Sequence, residues 1–465
     1  MGGILNGEFQ KGRFLMRRGL HQFMSPFRII IVAYLISMFV ASILLWLPVT
    51  HQPGGELTYM DALFTAVSAV SVTGLVTITV SETFNGIGIL VIAVAIQLGG
   101  IGIMTLGTFV WMLLGRKINL SHRLLIMVDH NQYQFSGMVK LMRGILFTAL
   151  MIQGIGALIL GSYYTQYFDT FSEAMYQGAF GALSAFTNAG FDVTGESLLP
   201  FANDYYVQFI TVLLIFAGAI GFPVLMEIRE YFRPSNENFK FSLFTKITVT
   251  TYGLVFVLGW LGIWFLERGY YFAGLAWHEQ FFQTMFTSAT SRSAGLTVLD
   301  VSGFTLVTVL FISGLMIIGA SPSSVGGGIR TTTLAVMFLT IRSFALGKSD
   351  VKAFGREVHP EDKQKAFIVL SFFIVGLFSA VMGIAAFERG NDQVELHDII
   401  FETSSAFGTC GLSTGVTEHL SNPSLAILMT LMLIGRVGIL VLLFSLKKKD
   451  TKTHYKYPTE RMIIG

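Results

Sequence analysis

Charge is scarce in this sequence. Asp, Glu, Lys and Arg make up 13% of its 465 residues, about half of what wets the surface of an ordinary soluble domain. A single cysteine, Cys410, excludes an intramolecular disulfide framework and a thiolate zinc site. The nine histidines are scattered, with no H-E-x-x-H and no i,i+4 pair, so no metal centre is expected beyond a permeant cation. No Walker A motif and no Rossmann fingerprint occur, so nucleotide binding by this chain is not expected. No Ser–His–Asp set can be gathered at one membrane depth, and we expect no enzyme. Proline is rare, 10 residues against 49 glycines. Those glycines sit inside apolar segments rather than polar linkers, which argues against disorder and for close helix packing or non-helical pore backbone.

What is present is apolar. Hydrophobic residues make up 53% of the chain, and the mean hydropathy is +0.65. Runs such as Ile29–Leu47 and Leu425–Leu446 are long enough for a hydrocarbon core about 30 Å thick. Eight spanning segments are predicted, near 27–47, 86–113, 144–166, 205–227, 244–266, 303–340, 366–386 and 424–446. The sixth is too long for one plain helix and is interrupted at Gly319–Gly328. The first 28 residues carry basic charge but no apolar h-region, so no cleaved signal peptide is expected.

An even number of spans places both termini on one side. On this topology, 26 of the 31 Lys and Arg fall on the side of the termini. Only Arg268 and Arg389 lie opposite, and Arg292, Arg330 and Arg436 lie at membrane depth. The basic side, and with it both termini, is expected to be cytoplasmic. Of the 28 acids, 17 fall on the outer side, among them Glu56, Asp169, Asp192, Asp204, Asp300, Asp392 and Glu418. They read either as a cation-concentrating vestibule or as ordinary solvated loops. The Lys447–Lys449 run reads as a stop-transfer anchor or a contact with anionic lipid.

An internal repeat carries the chemistry. Four segments align without gaps: LFTAVSAVSVTGL (63–75), AFGALSAFTNAGF (179–191), TMFTSATSRSAGL (284–296) and IFETSSAFGTCGL (400–412). Each has a bulky apolar residue ten positions before a glycine (Gly74, Gly190, Gly295, Gly411) and an apolar residue directly after it. At 1.5 Å per residue these segments cover about half a span as helices, so they must dip in and return. Non-helical backbone survives at that depth only when buried in protein or lining water. The first part of each reads as a pore helix, its negative dipole end toward the centre. The second part would present carbonyl oxygens that replace a cation's hydration shell. Candidate filter residues are Ser71, Val72, Thr73 and Gly74; Thr187, Asn188, Ala189 and Gly190; Ser293, Ala294 and Gly295; and Gly408, Thr409, Cys410 and Gly411. The hydroxyls among them are candidates for additional oxygens. The alternative is that the segments are re-entrant packing elements only.

The segments VSVTGL, FTNAGF, SRSAGL and FGTCGL resemble the four filters of the Trk/Ktr/HKT superfamily of potassium transporters, the Ktr membrane subunits above all. The resemblance covers nearly the whole chain. It implies an all-α polytopic membrane protein of four pseudo-symmetric M1–P–M2 repeats around one central pore, with eight transmembrane helices and four re-entrant pore loops. The expected organisation is an N-terminal arm (1–28), repeats at 29–113, 114–227, 228–340 and 341–446, and a cytoplasmic tail (447–465). It implies potassium uptake across a bacterial plasma membrane. In related plant members a serine at the first filter glycine goes with sodium preference, and Gly74 is intact here. Flux in the family is often sodium-stimulated, which makes Na+ a second candidate ion.

Two further features match the family. Residues 318–333 (IGASPSSVGGGIRTTT) resemble its intramembrane gating loop. Pro322 and Gly326–Gly328 sustain a helix poorly, and Ser321, Pro322, Ser323, Ser324, Val325, Gly326, Gly327 and Gly328 are the candidate gate; a structural kink is the alternative. Arg436, in LIGRVGIL, resembles the pore arginine below the filter; helix packing against a carbonyl or Glu402 is the alternative. Arg292 reads as a brace behind the third filter. The Gln97–Gly102 stretch reads as close helix packing. Implied partners are membrane lipid, a second copy in a homodimer, and a cytosolic RCK-type nucleotide-binding subunit in an octameric ring docked on loops such as Arg342–Lys365. No nucleic acid is implied. The rival readings are a sodium- or ammonium-permeable member of the same fold and an alternating-access transporter. Inverted repeats would support the latter, whereas all four loops here enter from one side.

Overall fold

The computed structural model describes residues 25–54, 57–113, 138–232, 239–348, 350–447, and positions 458, 460, 462 and 463. The N-terminal arm up to residue 24, residues 114–137, Glu56 and Lys448–Lys449 lie outside the described residues.

The first quarter of the chain folds as a long helix α1 (Pro26–Trp46), a short helix α2 (Tyr59–Ser71), a loop through Gly74, one turn α3 (Val80–Thr83), and a pair α4 (Gly86–Ile101) and α5 (Ile103–Leu113). The order of long helix, short helix, loop and broken helix then recurs three times. It returns as α6 (Met138–Tyr164), α7 (Phe171–Thr187), α8 (Tyr205–Ala219) and α9 (Phe222–Tyr231). It returns again as α10 (Leu243–Glu267), α11 (Trp277–Thr290), α12 (Leu306–Ile317) and α13 (Thr331–Ala345). Its last copy is α14 (Pro360–Phe387), α15 (Leu396–Gly408), α16 (Asn422–Val437) and α17 (Ile439–Leu446). Between α13 and α14, β1 (Lys352–Ala353) pairs antiparallel with β2 (Arg356–Glu357). The two-residue turn places Phe354 and Gly355 at positive φ, as a hairpin's right-handed twist favours.

Among the described residues, four helices are long and apolar enough to cross a membrane: α1, α6 from Lys140, α10 and α14. Counting each sharply bent pair as one crossing raises the number to seven. The expected sixth span is two short helices, α12 and α13, of 12 and 15 residues. The sequence reading expected a break in that span alone. The structure breaks the other three as well, by 104° between α4 and α5, 102° between α8 and α9, and 92° between α16 and α17. The cause is one glycine in each: Gly102, Gly221 and Gly438 adopt φ of +99°, +100° and +91°, where a Cβ is strained. Around Gly102 and Gly221 the apolar run continues through the break, so hydropathy gives no sign of it, and at Gly438 the only interruption is Arg436 two residues earlier.

The surface is inverted relative to a soluble protein. Leu35, Ile36 and Phe39 on α1 and Val375 and Phe378 on α14 are exposed, while Ser68, Ser184, Thr187, Thr290, Thr403 and Ser405 are fully buried. Apolar groups outside and hydroxyls inside suit lipid as the solvent. Gln97 on α4 and Gln153 on α6 exchange reciprocal amide hydrogen bonds of 3.1 Å.

The four short helices share one start signal. An acid sits in the first turn of each: Asp61, Glu173, Glu279 and Asp398. Three of these carboxylates accept the backbone N–H three residues earlier, from Thr58, Ala276 and Glu395. Negative charge there complements the positive dipole end and leaves the negative end to face inward.

Candidate functional site

The four loops after α2, α7, α11 and α15 meet. A Cβ built on Gly74 would lie 2.5 Å from the Ala189 carbonyl oxygen and 2.8 Å from Gly190 Cα. One on Gly190 would lie 3.2 Å from the Ala294 oxygen and from Gly295 Cα. One on Gly295 would meet the Cys410 oxygen at 2.4 Å, and one on Gly411 the Thr73 oxygen at 2.2 Å. Each glycine therefore abuts the carbonyl just before the next glycine, in the cyclic order 74, 190, 295, 411 and back to 74. The four sequence-predicted glycines close a ring, and Thr73, Ala189, Ala294 and Cys410 contribute its carbonyl oxygens.

Local backbone explains why the loops fold this way. Three of the short helices end in a left-handed residue, Val72, Asn188 or Thr409, at φ between 46° and 59°. The N–H of the residue after it returns to the helix: Thr73 to Ser68 O, Ala189 to Ser184 O and Cys410 to Ser405 O, each at 2.9 Å. This is Schellman-type closure. The glycine that follows is again at positive φ, +96°, +69° and +94°. In the third loop Ser293 (φ 84°) and Gly295 (φ 72°) alternate in the same way. A non-glycine left-handed residue in each of four loops is strain stored at one place.

The structure adds residues that the sequence reading missed. Ser68 Oγ accepts the Gly74 N–H at 3.0 Å, and Ser405 Oγ accepts the Gly411 N–H at 3.1 Å. Ser184 Oγ donates to Phe191 O at 2.6 Å, and Thr290 Oγ1 donates to Leu296 O at 2.6 Å. A hydroxyl on each short helix thus clamps its own loop. The signal was in the sequence, since Ser68, Ser184 and Ser405 each stand six before the glycine. The third segment departs from it with Thr290.

Other predicted filter residues serve differently. Ser71 Oγ pairs with Thr73 Oγ1 at 2.7 Å, and Thr187 Oγ1 donates to Leu183 O at 2.6 Å. Ser293 Oγ lies 2.9 Å from Gly408 O and 3.0 Å from Thr409 O. These hydroxyls are engaged with the protein, and the oxygens that abut the ring glycines are backbone carbonyls. Gly408 closes α15 against α12, where a Cβ would meet Met316 O at 2.2 Å. The Asn188 amide is buried with no hydrogen-bond partner among the described residues. Arg292 turns away from the ring. It is fully buried, donates to Tyr252 O, and stacks its guanidinium 3.6 Å from the Tyr252 ring centre. That is a brace behind the third loop.

Residues 318–330 are not a surface linker. Ala320, Ser321 and Val325 are buried. Ser321 N–H bonds Ala219 O at 3.0 Å, Phe222 N–H bonds Ser323 O at 2.9 Å, and Gly327 N–H bonds Ser293 Oγ at 3.1 Å. A Cβ on Gly327 would meet Thr409 Oγ1 at 2.5 Å. The segment is wedged between the third and fourth loops and the α8–α9 break. Arg330 donates to the carbonyls of Ser321 and Gly326. Arg436 donates to the carbonyls of Val325, Gly99 and Gly100, and so ties this segment to α4. Glu402 is not its partner, because that carboxylate accepts from Ser413, Thr414 and Thr417. The Gln97–Gly102 stretch does pack closely: a Cβ on Gly99 would meet Val70 O at 2.1 Å.

Cavities flank the ring. One of about 130 Å³ is lined by Gly74, Gly190, Asp192 and Glu418 among others. Another of about 150 Å³ lies among Gly100, Pro322, Ser323, Ser324, Arg330 and Arg436. The first holds two acids and the second two arginines. Other acids do structural work, since Asp204 and Asp300 cap the starts of α8 and a short 3₁₀ turn.

The chain matches the TrkH family, described as "Cation transport protein", over residues 10–455. It is 48% identical to the Ktr system potassium uptake protein D of Bacillus subtilis over 446 residues, covering 96% of this chain and 98% of that protein. It is 33% identical to the potassium/sodium uptake protein NtpJ of Enterococcus hirae, covering 97% and 100%. Its fold is like that of the potassium transporter TrkH from Vibrio parahaemolyticus, with a TM-score of 0.72 at 16% identity, over 92% of this chain and 86% of that one. These relatives are named as transporters rather than enzymes. With the family matched over nearly its full length, the chain belongs to the TrkH/Ktr family of cation transport proteins.

Proposed function

We propose that this chain is a potassium-uptake subunit of a bacterial plasma membrane. Its four M1–P–M2 repeats, at 29–113, 114–227, 228–340 and 341–446, surround one pore. Eight spans place both termini in the cytoplasm. The observation that carries this reading is the closed ring, in which each glycine rests on its neighbour's carbonyl. Four carbonyls converging at the ends of four helices offer a cation both oxygen ligands and negative dipole ends. The acids Asp192 and Glu418 stand at the outer approach and raise local cation concentration.

The gate is the segment Ser321–Gly328 with Arg436. A buried charge at this depth is expensive and marks function. Arg436 and Arg330 oppose cation passage beneath the ring while holding the segment through its carbonyls. A homodimer and a cytosolic nucleotide-binding ring, docked on the Arg342–Lys365 loop and its hairpin, complete the assembly. The B. subtilis relative is named as one protein of a Ktr system, which supports a multi-component assembly. Sodium is the second reading, as a co-permeant or stimulating ion, supported by the potassium/sodium name of the E. hirae relative.

The test is growth rescue of a potassium-uptake-deficient bacterium at low potassium, with rubidium influx measured in parallel. Co-expressed with its ring partner, the chain is expected to restore both. Restoring neither would end the potassium reading; sodium influx without rubidium influx would favour the second.

A further inference from the structure

Beside the cytoplasmic ends of α6 and α9 lies an open groove of about 590 Å³, far from the ring. Lys140, Leu141, Arg143, Gly144, Phe147, Met226, Arg229 and Glu230 line it. Its shape follows from the break at Gly221. After the 102° bend α9 leaves the line of α8 and touches α6 near the Gly144–Met226 crossing, where a Cβ on Gly144 would lie 3.1 Å from the Met226 sulfur.

The groove is charged at one end only. Three cations face one acid, Glu230, and none of the three is in an ion pair among the described residues. The nearby Glu227 is engaged elsewhere, accepting the Ser242 N–H at 3.0 Å. Arg229 lies 5.7 Å over the Phe147 ring, and Arg143 reaches the Met112 sulfur at 3.3 Å. Neither contact neutralises a guanidinium. Toward the membrane centre, α6 continues from Arg143 along one stripe at helical spacing: Phe147, Leu150, Met151, Leu158. All four are exposed, Phe147 at 60% and Leu158 at 64%.

A cationic mouth at the membrane–water boundary that opens onto an apolar stripe fits one kind of occupant. It is amphipathic, with an anionic head and chains long enough to run along α6. We propose that this groove is a binding site for an anionic phospholipid. Arg143, Arg229 and Lys140 hold the headgroup phosphate, and Phe147, Leu150 and Met151 hold an acyl chain. Guanidinium groups suit a phosphate oxygen pair, and basic pockets between helices on the cytoplasmic side take such headgroups. Arg143 and Arg229 come from the two sides of the groove, so an occupied site would brace α9 against α6, directly below the break that adjoins the gating segment at Phe222 and Ser323. The proposal takes the basic side as cytoplasmic, as above, but does not depend on which ion the ring selects.

The test is native mass spectrometry of the intact purified protein, titrated with phosphatidylglycerol or with phosphatidylcholine of matched chains. Wild type is expected to retain a phosphatidylglycerol adduct in clear preference to phosphatidylcholine. Arg143→Gln with Arg229→Gln is expected to weaken that adduct on the order of thirtyfold, from roughly 1 kcal/mol per cation at an anionic surface. The paired Lys substitutions should retain most of it, and Phe147→Ala should shorten retention of the lipid without abolishing the headgroup preference. Inorganic phosphate in place of lipid should neither compete nor stabilise. Rubidium flux in pure phosphatidylcholine vesicles should match between wild type and the double Gln variant, which also reports that the variant folds. Equal retention of both lipids, an undiminished adduct in the double variant, or full competition by inorganic phosphate would each overturn the assignment.

Discussion

Replacing each ring glycine by alanine, one at a time, perturbs the site by an amount that can be read from its geometry. At Gly411 the new Cβ would stand 2.2 Å from Thr73 O, and at Gly295 2.4 Å from Cys410 O. At Gly74 it would stand 2.5 Å from Ala189 O, but at Gly190 3.2 Å from Ala294 O. Ordinary contact needs about 3.4 Å, so the Thr73 carbonyl must retreat by about an ångström, whereas the Ala294 carbonyl need move only a few tenths. Backbone handedness also sets Gly74 and Gly411, at φ +96° and +94°, apart from Gly190 at +69°, while Gly295 at +72° differs from Gly190 by its contact alone. The intrinsic cost of the left-handed region, roughly 1–2 kcal/mol for a residue with a Cβ, applies to all four. What separates them is the displaced oxygen. A carbonyl moved by an ångström no longer coordinates with its three partners. At about 1.4 kcal/mol per tenfold, losing a modest share of one ligand removes at least tenfold of potassium-over-sodium discrimination. Competition of sodium against rubidium influx in proteoliposomes measures this. The expected order of damage is Gly411, Gly295, Gly74 and then Gly190, with less than about threefold change at Gly190. If Gly190→Ala proved as damaging as Gly411→Ala, the carbonyl-contact reasoning would be refuted.

Further outcomes follow from the same geometry. Ser405→Ala frees the Gly411 N–H and should lower discrimination several-fold while leaving expression intact; unaltered competition curves would remove the clamp from the account. Gly74→Ser should shift preference toward sodium, and unchanged selectivity would place discrimination on another carbonyl. Deleting Ser324–Gly328 should raise rubidium flux and weaken nucleotide control in the assembled complex, whereas intact control would move the gate elsewhere. The Glu388 carboxylate, at the C-terminal end of α14, accepts from Ser421 N and Oγ, Ser424 Oγ and Asn391 Nδ2. Burial pushes its pKa up, but these donors outweigh burial and hold it down at about 2, against an ordinary value of 4.5. Its contribution to stability should therefore be complete above pH about 4.5 and fall away toward pH 2. Glu388→Gln should lower the thermal stability of the purified protein at neutral pH and flatten that acid limb. A wild-type profile flat down to pH 3 would contradict this.

The ring was legible because four short segments repeat in register, each with a glycine and an apolar residue after it. The acids that start the short helices and the serines six before the glycines stood in the same repeat, and a closer reading of the alignment would have found them. The broken third partner was legible as well, since Pro322 and three successive glycines cannot continue a helix. The breaks at Gly102, Gly221 and Gly438 were not. Each lies in a largely apolar stretch beside other glycines (Gly99 and Gly100, Gly218, Gly435), and glycine in such a stretch signals close packing as readily as a bend. Only the neighbouring loops decide between the two. Hydroxyl direction was equally hidden: the sequence does not say which protein groups Ser293 meets, and the structure places its Oγ beside Gly408 O, Thr409 O and the Gly327 N–H. Arg436 stood out as a costly charge, yet its acceptors at Val325, Gly99 and Gly100 come from segments more than a hundred residues away in sequence.

The most direct measurement is anomalous diffraction from crystals grown in rubidium or thallium. A peak is expected on the axis of the ring, shared by the carbonyl oxygens of Thr73, Ala189, Ala294 and Cys410, and weakened in Gly411→Ala. Density only outside the ring, or a peak bound to side-chain carboxylates with the carbonyl ring empty, would contradict the account.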